Sequence, residues 1–291
     1  MDFFQAVLIG IVHGITAFLP VSSSGHAGLI EDFFHIGGPE TLLFEALLHL
    51  ATLFAIVLAF WRDIQKIAAE TILISVDVLT NIRIFVENKK NGADKRYQKI
   101  SGTNYRKLTL LLMVAVIPMA ALGVSSRHLV QIAFGSPMAI GIGMMTSAIL
   151  LLVIDFIAAG DKIPKDMTYD RAVWMGICQG IASFPGISRT GVSMSVGLLC
   201  GLNRKVAVKF TFLMAIPAVL GALILELGQL GEMSISGKLF AYYFCGALVA
   251  GVIGFFLIRR MTKYLQRARF RGFACYNFFL GIVAIVSSVV K

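Results

Sequence analysis

Two short blocks hold most of the reactive side chains of this sequence. They are Leu19-Pro20-Val21-Ser22-Ser23-Ser24-Gly25-His26 and Pro185-Gly186-Ile187-Ser188-Arg189-Thr190-Gly191. Together they offer one permanent cation, Arg189, one titratable base, His26, and the hydroxyls of Ser22, Ser23, Ser24, Ser188 and Thr190. They also offer glycine N–H groups at Gly25, Gly186 and Gly191. Guanidinium, hydroxyls and free backbone N–H groups at helix starts bind phosphate-like anions. A phosphoanhydride further needs an attacking atom and a proton acceptor, and His26 or a serine could attack or shuttle the proton. His13 lies upstream of the first block. Glu45 is one helical turn from His49, so these two share a face. Glu45, Asp155 and Glu226 are the acids nearest to or within apolar runs, and Glu45 is the preferred pocket acid.

Both blocks interrupt apolar sequence. Of 291 residues, 57% are hydrophobic and only 14% charged, against about 25% charged in soluble domains. Charge that sparse cannot cover a water-facing surface, so the expectation is an all-α integral membrane protein. Six runs have the length of a span: 42–61, 108–125, 137–158, 207–227, 239–258 and 272–290. An arginine at membrane depth costs at least about 2.5–3.5 kcal/mol, which marks Arg189 as functional. The net charge of +10 comes from bases clustered between apolar runs, which fits membrane topology and anionic lipid rather than nucleic acid. Cys178, Cys200, Cys245 and Cys275 form no CxxC pair and read as small hydrophobes. No cleaved signal peptide is expected.

Lys/Arg bias places the linker 63–106 and the linker before the last span in the cytoplasm. Segments 126–136 and 228–238 then fall outside. The chain around 172–203 must enter and leave on one side, and 3–34 on the opposite side, each as a re-entrant helix hairpin. The linker 63–106 mixes charge signs and reads as a solvated connector, with an amphipathic surface helix as its one structural option.

The two broken regions resemble each other. Gly10-Ile11-Val12-His13-Gly14-Ile15-Thr16-Ala17-Phe18 matches Gly176-Ile177-Cys178-Gln179-Gly180-Ile181-Ala182-Ser183-Phe184, and after one residue of slippage a Pro and a Ser- and Gly-containing turn follow in both. Leu112–Pro118 is echoed by Leu213–Pro217. The organisation expected is one membrane domain over 1–291: an inverted-topology repeat of about 1–125 and 137–258, with a final helix at 272–290. Such repeats bring broken helices together at one site near the midplane.

The blocks Phe18–His26 and Pro185–Gly191, supported by Phe44-Glu45, His49-Leu50-Ala51-Thr52 and Phe210-Thr211-Phe212-Leu213, resemble the bacterial undecaprenyl-pyrophosphate phosphatase (bacitracin-resistance) family over nearly the whole length. The resemblance implies six transmembrane helices, two re-entrant hairpins, and removal of the terminal phosphate of a C55 polyprenyl pyrophosphate. The product, undecaprenyl phosphate, carries cell-wall precursors. It also implies a bacterial plasma-membrane location, a site facing outward and a divalent cation, Mg or Ca. Ser23, His26, Ser188 and Arg189 are the family's functional positions present here, with Glu45 beside them. The family's first block normally reads (Glu/Gln)-Gly-x-x-Glu, and those acidic positions correspond to His13 and Ala17. Ala17 can neither hold a metal nor take a proton, and His13 is not a hard-oxygen ligand. Three readings stay open: a slower hydrolase leaning on His13, Glu45 and His26; a non-hydrolytic polyprenyl-phosphate binding protein or flippase; or an introduced substitution.

Overall fold

The computed structural model describes residues 1–37, 40–92, 94–227 and 236–290. The side chain of Glu226 and most of the segment 228–238 lie outside the described residues. The described residues are mostly helical. In order it forms α1 (Phe3–Thr16), α2 (Ser23–Phe33), α3 (Glu40–Ala59), α4 (Trp61–Asn91), α5 (Asn104–Ser125) and α6 (Arg127–Phe134). These are followed by α7 (Pro137–Asp155), α8 (Tyr169–Ile181), α9 (Arg189–Leu199), α10 (Arg204–Leu227), α11 (Gly237–Leu265) and α12 (Arg271–Val290).

Among the described residues, α5, α7, α10, α11 and α12 are each long and apolar enough to cross a bilayer. A sixth, α3, joins α4 through a bend of 84° at Phe60. The six expected apolar runs are thus helical, five of them long and apolar enough alone and the sixth as part of a bent pair, with two differences. The helix expected over 239–258 runs on to Leu265, carrying Arg259, Arg260 and Lys263 in its last turns. The linker 63–106 is mostly helix, because α4 continues for 31 residues until Gly92 adopts φ 63°, a left-handed conformation suited to glycine. The cysteines are only partly buried, and Cys275 is exposed.

The two broken regions fold as pairs of short helices. At 14, 11, 13 and 11 residues, none of these helices reaches the about 20 residues that a crossing needs. Three of the four bounds of the first pair recur in the second at a spacing of 166 positions, 3 to 169, 23 to 189 and 33 to 199, while the end of α1 at 16 recurs one residue early, at 181. The one residue of slippage is confined to the turn that holds the prolines. Ser22 and Ser188 are in register, and Pro20 and Pro185 occupy neighbouring places in two equivalent turns. Both serines are helix N-caps, with φ −80°, ψ 108° and φ −78°, ψ 109°. Each Oγ accepts an N–H three residues on, from Gly25 and Gly191, at 3.0 Å.

The neighbours repeat as well. Helix α1 packs on α11 and α8 on α5; α3 packs on α11 and α10 on α5. The contacts are made by matching glycines. A Cβ on Gly10 or Gly14 would strike backbone of Gly246 or Ala250 in α11. One on Gly176 would strike Ala115 backbone and one on Gly180 the Leu122 side chain, both in α5. Gly-x-x-x-Gly spacing lets helices approach this closely inside a membrane. Helices α7 and α12 pack on each other, and each braces one break. The Ser188 N–H donates to Ser147 Oγ of α7 at 2.8 Å, and Asn277 Nδ2 of α12 donates to Pro20 O at 3.1 Å. Asp155, at the end of α7, accepts from the Phe270 N–H and lies 3.6 Å from Arg271, tying α7 to the start of α12. Its role is to link helices.

Candidate functional site

The breaks meet. Thr190 Oγ1 donates to Ala17 O at 3.4 Å, and Gly25 and Gly186 are so close that a Cβ on Gly25 would lie 3.1 Å from Gly186 Cα. Gly186 has φ 82°, and a Cβ there would also strike Ile140 backbone in α7, so both its conformation and its surroundings demand glycine. A cavity of about 50 Å³ lies where the segments converge. It has room for more than one water-sized group. Ser22, Ser23 and Ser24 at the start of α2 face it, as do Arg189 and Thr190 at the start of α9. Two helix N-termini, each carrying partial positive charge, thus converge with one guanidinium on a buried space.

The cavity is also lined by His13 of α1 and Ala17 at the C-cap of that helix, His49 and Thr52 of α3, Gln179 of α8 and Thr211 of α10. His49 Nε2 accepts from the Arg189 guanidinium at 2.5 Å. The His13 ring meets His49 edge-on, with centroids 5.1 Å apart, and neither His13 nitrogen has a hydrogen-bond partner although the residue is 1% exposed. Its repeat counterpart Gln179 is satisfied, since it accepts from Ser193 Oγ.

A second, larger chamber of about 350 Å³ adjoins the first and shares Ser24, His49 and Arg189 with it. Most of its lining is apolar, from α5, α6 and α10, and includes Val116, Met119, Phe134, Pro217 and Ile224. Glu45 lines this chamber rather than the small cavity.

Several candidates from the sequence lie elsewhere or are already engaged. His26 does not line the small cavity. Its Nδ1 donates to Ser22 O at 2.5 Å, which fixes the tautomer and leaves Nε2 to accept from Tyr276 of α12 at 2.7 Å. The two rings stack 13° from parallel. The ring thus joins α2 to α12 beside the small cavity rather than in its lining. Gly25 and Gly191 spend their N–H groups on the caps, Ser188 spends its side chain as the cap, and Gly186 provides the close turn. These four shape the site. Ser22 does both, capping α2 and lining the cavity. The sequence-based site lacked His49 as a wall residue and partner of Arg189. Its pairing with Glu45 at helical spacing was the one local signal.

The cation implied by the resemblance can be tested against these donors. Among the described residues no three His, Cys, Asp or Glu side chains come together as a metal site. The small cavity presents imidazoles, an amide, hydroxyls and a guanidinium, with no carboxylate. Mg and Ca take oxygen ligands, carboxylates foremost. The residues present do not fit a resident hard divalent cation.

Fold and site together define a polytopic membrane protein with a small polar cavity built on two equivalent helix starts and adjoining an apolar chamber. The chain belongs to the family described as bacitracin resistance protein BacA, whose model matches residues 6–283. It is 34% identical over 289 residues to a protein of Alkaliphilus metalliredigens named undecaprenyl-diphosphatase, covering 99% of this chain and 100% of the relative. Relatives with the same name in Methanosphaera stadtmanae (32%, covering 100% and 99%) and Korarchaeum cryptofilum (33%, covering 98% and 99%) match over similar lengths.

Proposed function

We propose that this protein removes the terminal phosphate of undecaprenyl diphosphate at the paired helix starts, leaving undecaprenyl phosphate in the membrane. One observation carries the proposal. The N-termini of α2 and α9 and the Arg189 guanidinium share one small polar cavity, and that cavity adjoins a larger apolar chamber through Ser24, His49 and Arg189. In this reading the phosphates lie at the first space and the start of an isoprenoid chain in the second. The names carried by the relatives agree with that division.

In this account Arg189 and the two helix starts hold the phosphate oxygens. Ser23, the first residue of α2, supplies the attacking oxygen. Its Oγ bonds to the terminal phosphorus, the bond from that phosphorus to the bridging oxygen breaks, and the lipid monophosphate leaves. The hydroxyl proton passes to an open nitrogen of His13, the cavity-lining imidazole not held by Arg189. Water then cleaves the phosphoserine. It leaves its hydroxyl on inorganic phosphate, its second proton goes to solvent, and the proton on His13 returns to Ser23. No resident divalent cation enters, in keeping with the donor set. Six spans and a bacterial plasma-membrane location with the site facing outward complete the proposal. The Lys/Arg bias, which puts α4 on the cytoplasmic side, supports that orientation.

A second reading is favoured by one observation: no carboxylate lines the small cavity, and Ala17 occupies its wall. A carrier that binds and moves the lipid phosphate without cleaving it would need only the cationic half. Phosphate release from undecaprenyl diphosphate by purified protein separates the two. Release at a rate that collapses in Arg189→Ala supports the hydrolase. Tight lipid-phosphate binding with release no faster than in that variant supports the carrier.

A further inference from the structure

Helix α4 turns its residues inside out relative to a helix in water. Its acids and amides face the protein. Asp63 accepts from Lys209 at 2.7 Å and from Tyr105 at 2.6 Å, and Glu70 and Asp77 lie 2.9 and 2.8 Å from Arg106. Asn81 and Asn88 each exchange two hydrogen bonds with the backbone of the returning segment, at Gln98 and Lys95. Lys95 and Arg83 both hydrogen-bond Glu87 and hold its carboxyl below the usual range.

The outward face is apolar. Ile72, Val76, Leu79, Ile82 and Val86, at helical spacings of three and four, are 66%, 53%, 66%, 54% and 53% exposed. Trp61 at the start of the helix is 51% exposed. The exposed charges on α4 are all basic: Arg62, Lys66, which also lies 4.8 Å from the centre of the Tyr105 ring, Arg83, Lys89 and Lys90. The acids of the helix are all part-buried. A connector in water would put this pattern the other way round. The direction is informative too. The helix leaves the end of a membrane span at 84°, so its about 46 Å of length runs nearly along the bilayer plane.

From these observations we infer that α4 is an in-plane membrane anchor, its apolar face seated at the boundary between headgroups and acyl chains of an anionic leaflet. The bases at its flanks meet the lipid phosphates. The segment expected to be a solvated connector is on this account part of the membrane-bound body. It fixes the cytoplasmic end of α3, the helix that carries His49 and Glu45. This inference is independent of the hydrolase proposal.

The test uses full-length protein, one copy per lipid nanodisc of mixed neutral and anionic phospholipid, with the four native cysteines changed to alanine. A fluorophore is placed at Ile72→Cys, at Leu79→Cys or, as the control, at Lys99→Cys on the returning segment. Nitroxide-bearing lipid should quench the first two about threefold more than aqueous iodide does, and iodide should dominate at the control. Replacing Arg62, Lys66, Arg83, Lys89 and Lys90 with glutamine should reduce the lipid quenching in anionic discs to its level in neutral discs. Dominant iodide quenching at 72 and 79 would overturn the proposal. So would protection from both quenchers, which would mean that protein covers the face, or lipid quenching unaffected by the charge changes, which would remove the anionic leaflet as the partner.

Discussion

The break at Ser22–His26 and the break at Ser188–Gly191 have one backbone and two chemistries. Their cap dihedrals agree within two degrees, the same N–H is tied down three residues on, and a long helix braces each from behind. Position by position they then diverge. Ser23 stands against Arg189, His13 against Gln179 and Ala17 against Ser183. In the second half the polar residue inside the helix is satisfied, Gln179 by Ser193. In the first half it is left open, at His13. Duplicated backbone supplies two converging helix dipoles. The proposed reaction draws on the places where the copies differ: a cation in one, a hydroxyl and a buried imidazole in the other.

The largest effect should come from removing the cation. Arg189→Ala is expected to lower phosphate release by about 10²–10³-fold, the usual cost of one preorganised charge-stabilising group. Arg189→Lys should restore little of it, because a point charge does not replace the planar fork that both binds phosphate and holds His49. His13→Gln makes the first half resemble the second. Loss of a general base predicts a decline of about 10²-fold or more in single-turnover rate, with lipid-phosphate binding unchanged. An equal loss of binding would instead make His13 a wall residue. Ala17→Glu places a carboxylate in the cavity wall. The expected result is measurable Mg binding by calorimetry, absent in the parent, and a rate that becomes sensitive to chelator.

The glycine pairs sharpen the comparison on the side of stability. Gly10→Ala and Gly176→Ala each push a Cβ into the backbone of the facing helix, and each should cost about 1–3 kcal/mol in denaturation of the detergent-solubilised protein. Near-equal losses would support equivalent packing of the two halves. The smallest effects belong to the caps. Ser22→Ala and Ser188→Ala should each cost about 1 kcal/mol. Ser22→Ala should in addition reduce activity, because that hydroxyl also lines the cavity.

The helices and the breaks were legible in the sequence because both signals are local. Lipid demands long apolar runs, and Pro20, Pro185 and the Ser/Gly turns stop a helix wherever they occur. Arg189 was legible for the same reason, as a charge in an apolar setting. The fates of individual polar groups were not legible, because their partners are remote in sequence. Nothing near His26 announces Tyr276, 250 positions away, and nothing near Arg189 announces His49, 140 positions away. The caps show a different limit. Gly25 and Gly191 do provide N–H groups at helix starts, as their type suggests, but the serines three residues before them already use those groups. Helix α4 was missed as a membrane element because its mixed charges average out along the sequence. Only the folded helix separates them, acids inward and bases outward.

The most direct test of the central claim is phosphate release from undecaprenyl diphosphate by the purified protein in nanodiscs, with chelator present throughout and Arg189→Ala measured alongside. The account predicts steady release by the parent protein in chelator and a rate about 10²-fold or more lower in the variant. Release by the parent no faster than by Arg189→Ala would contradict it.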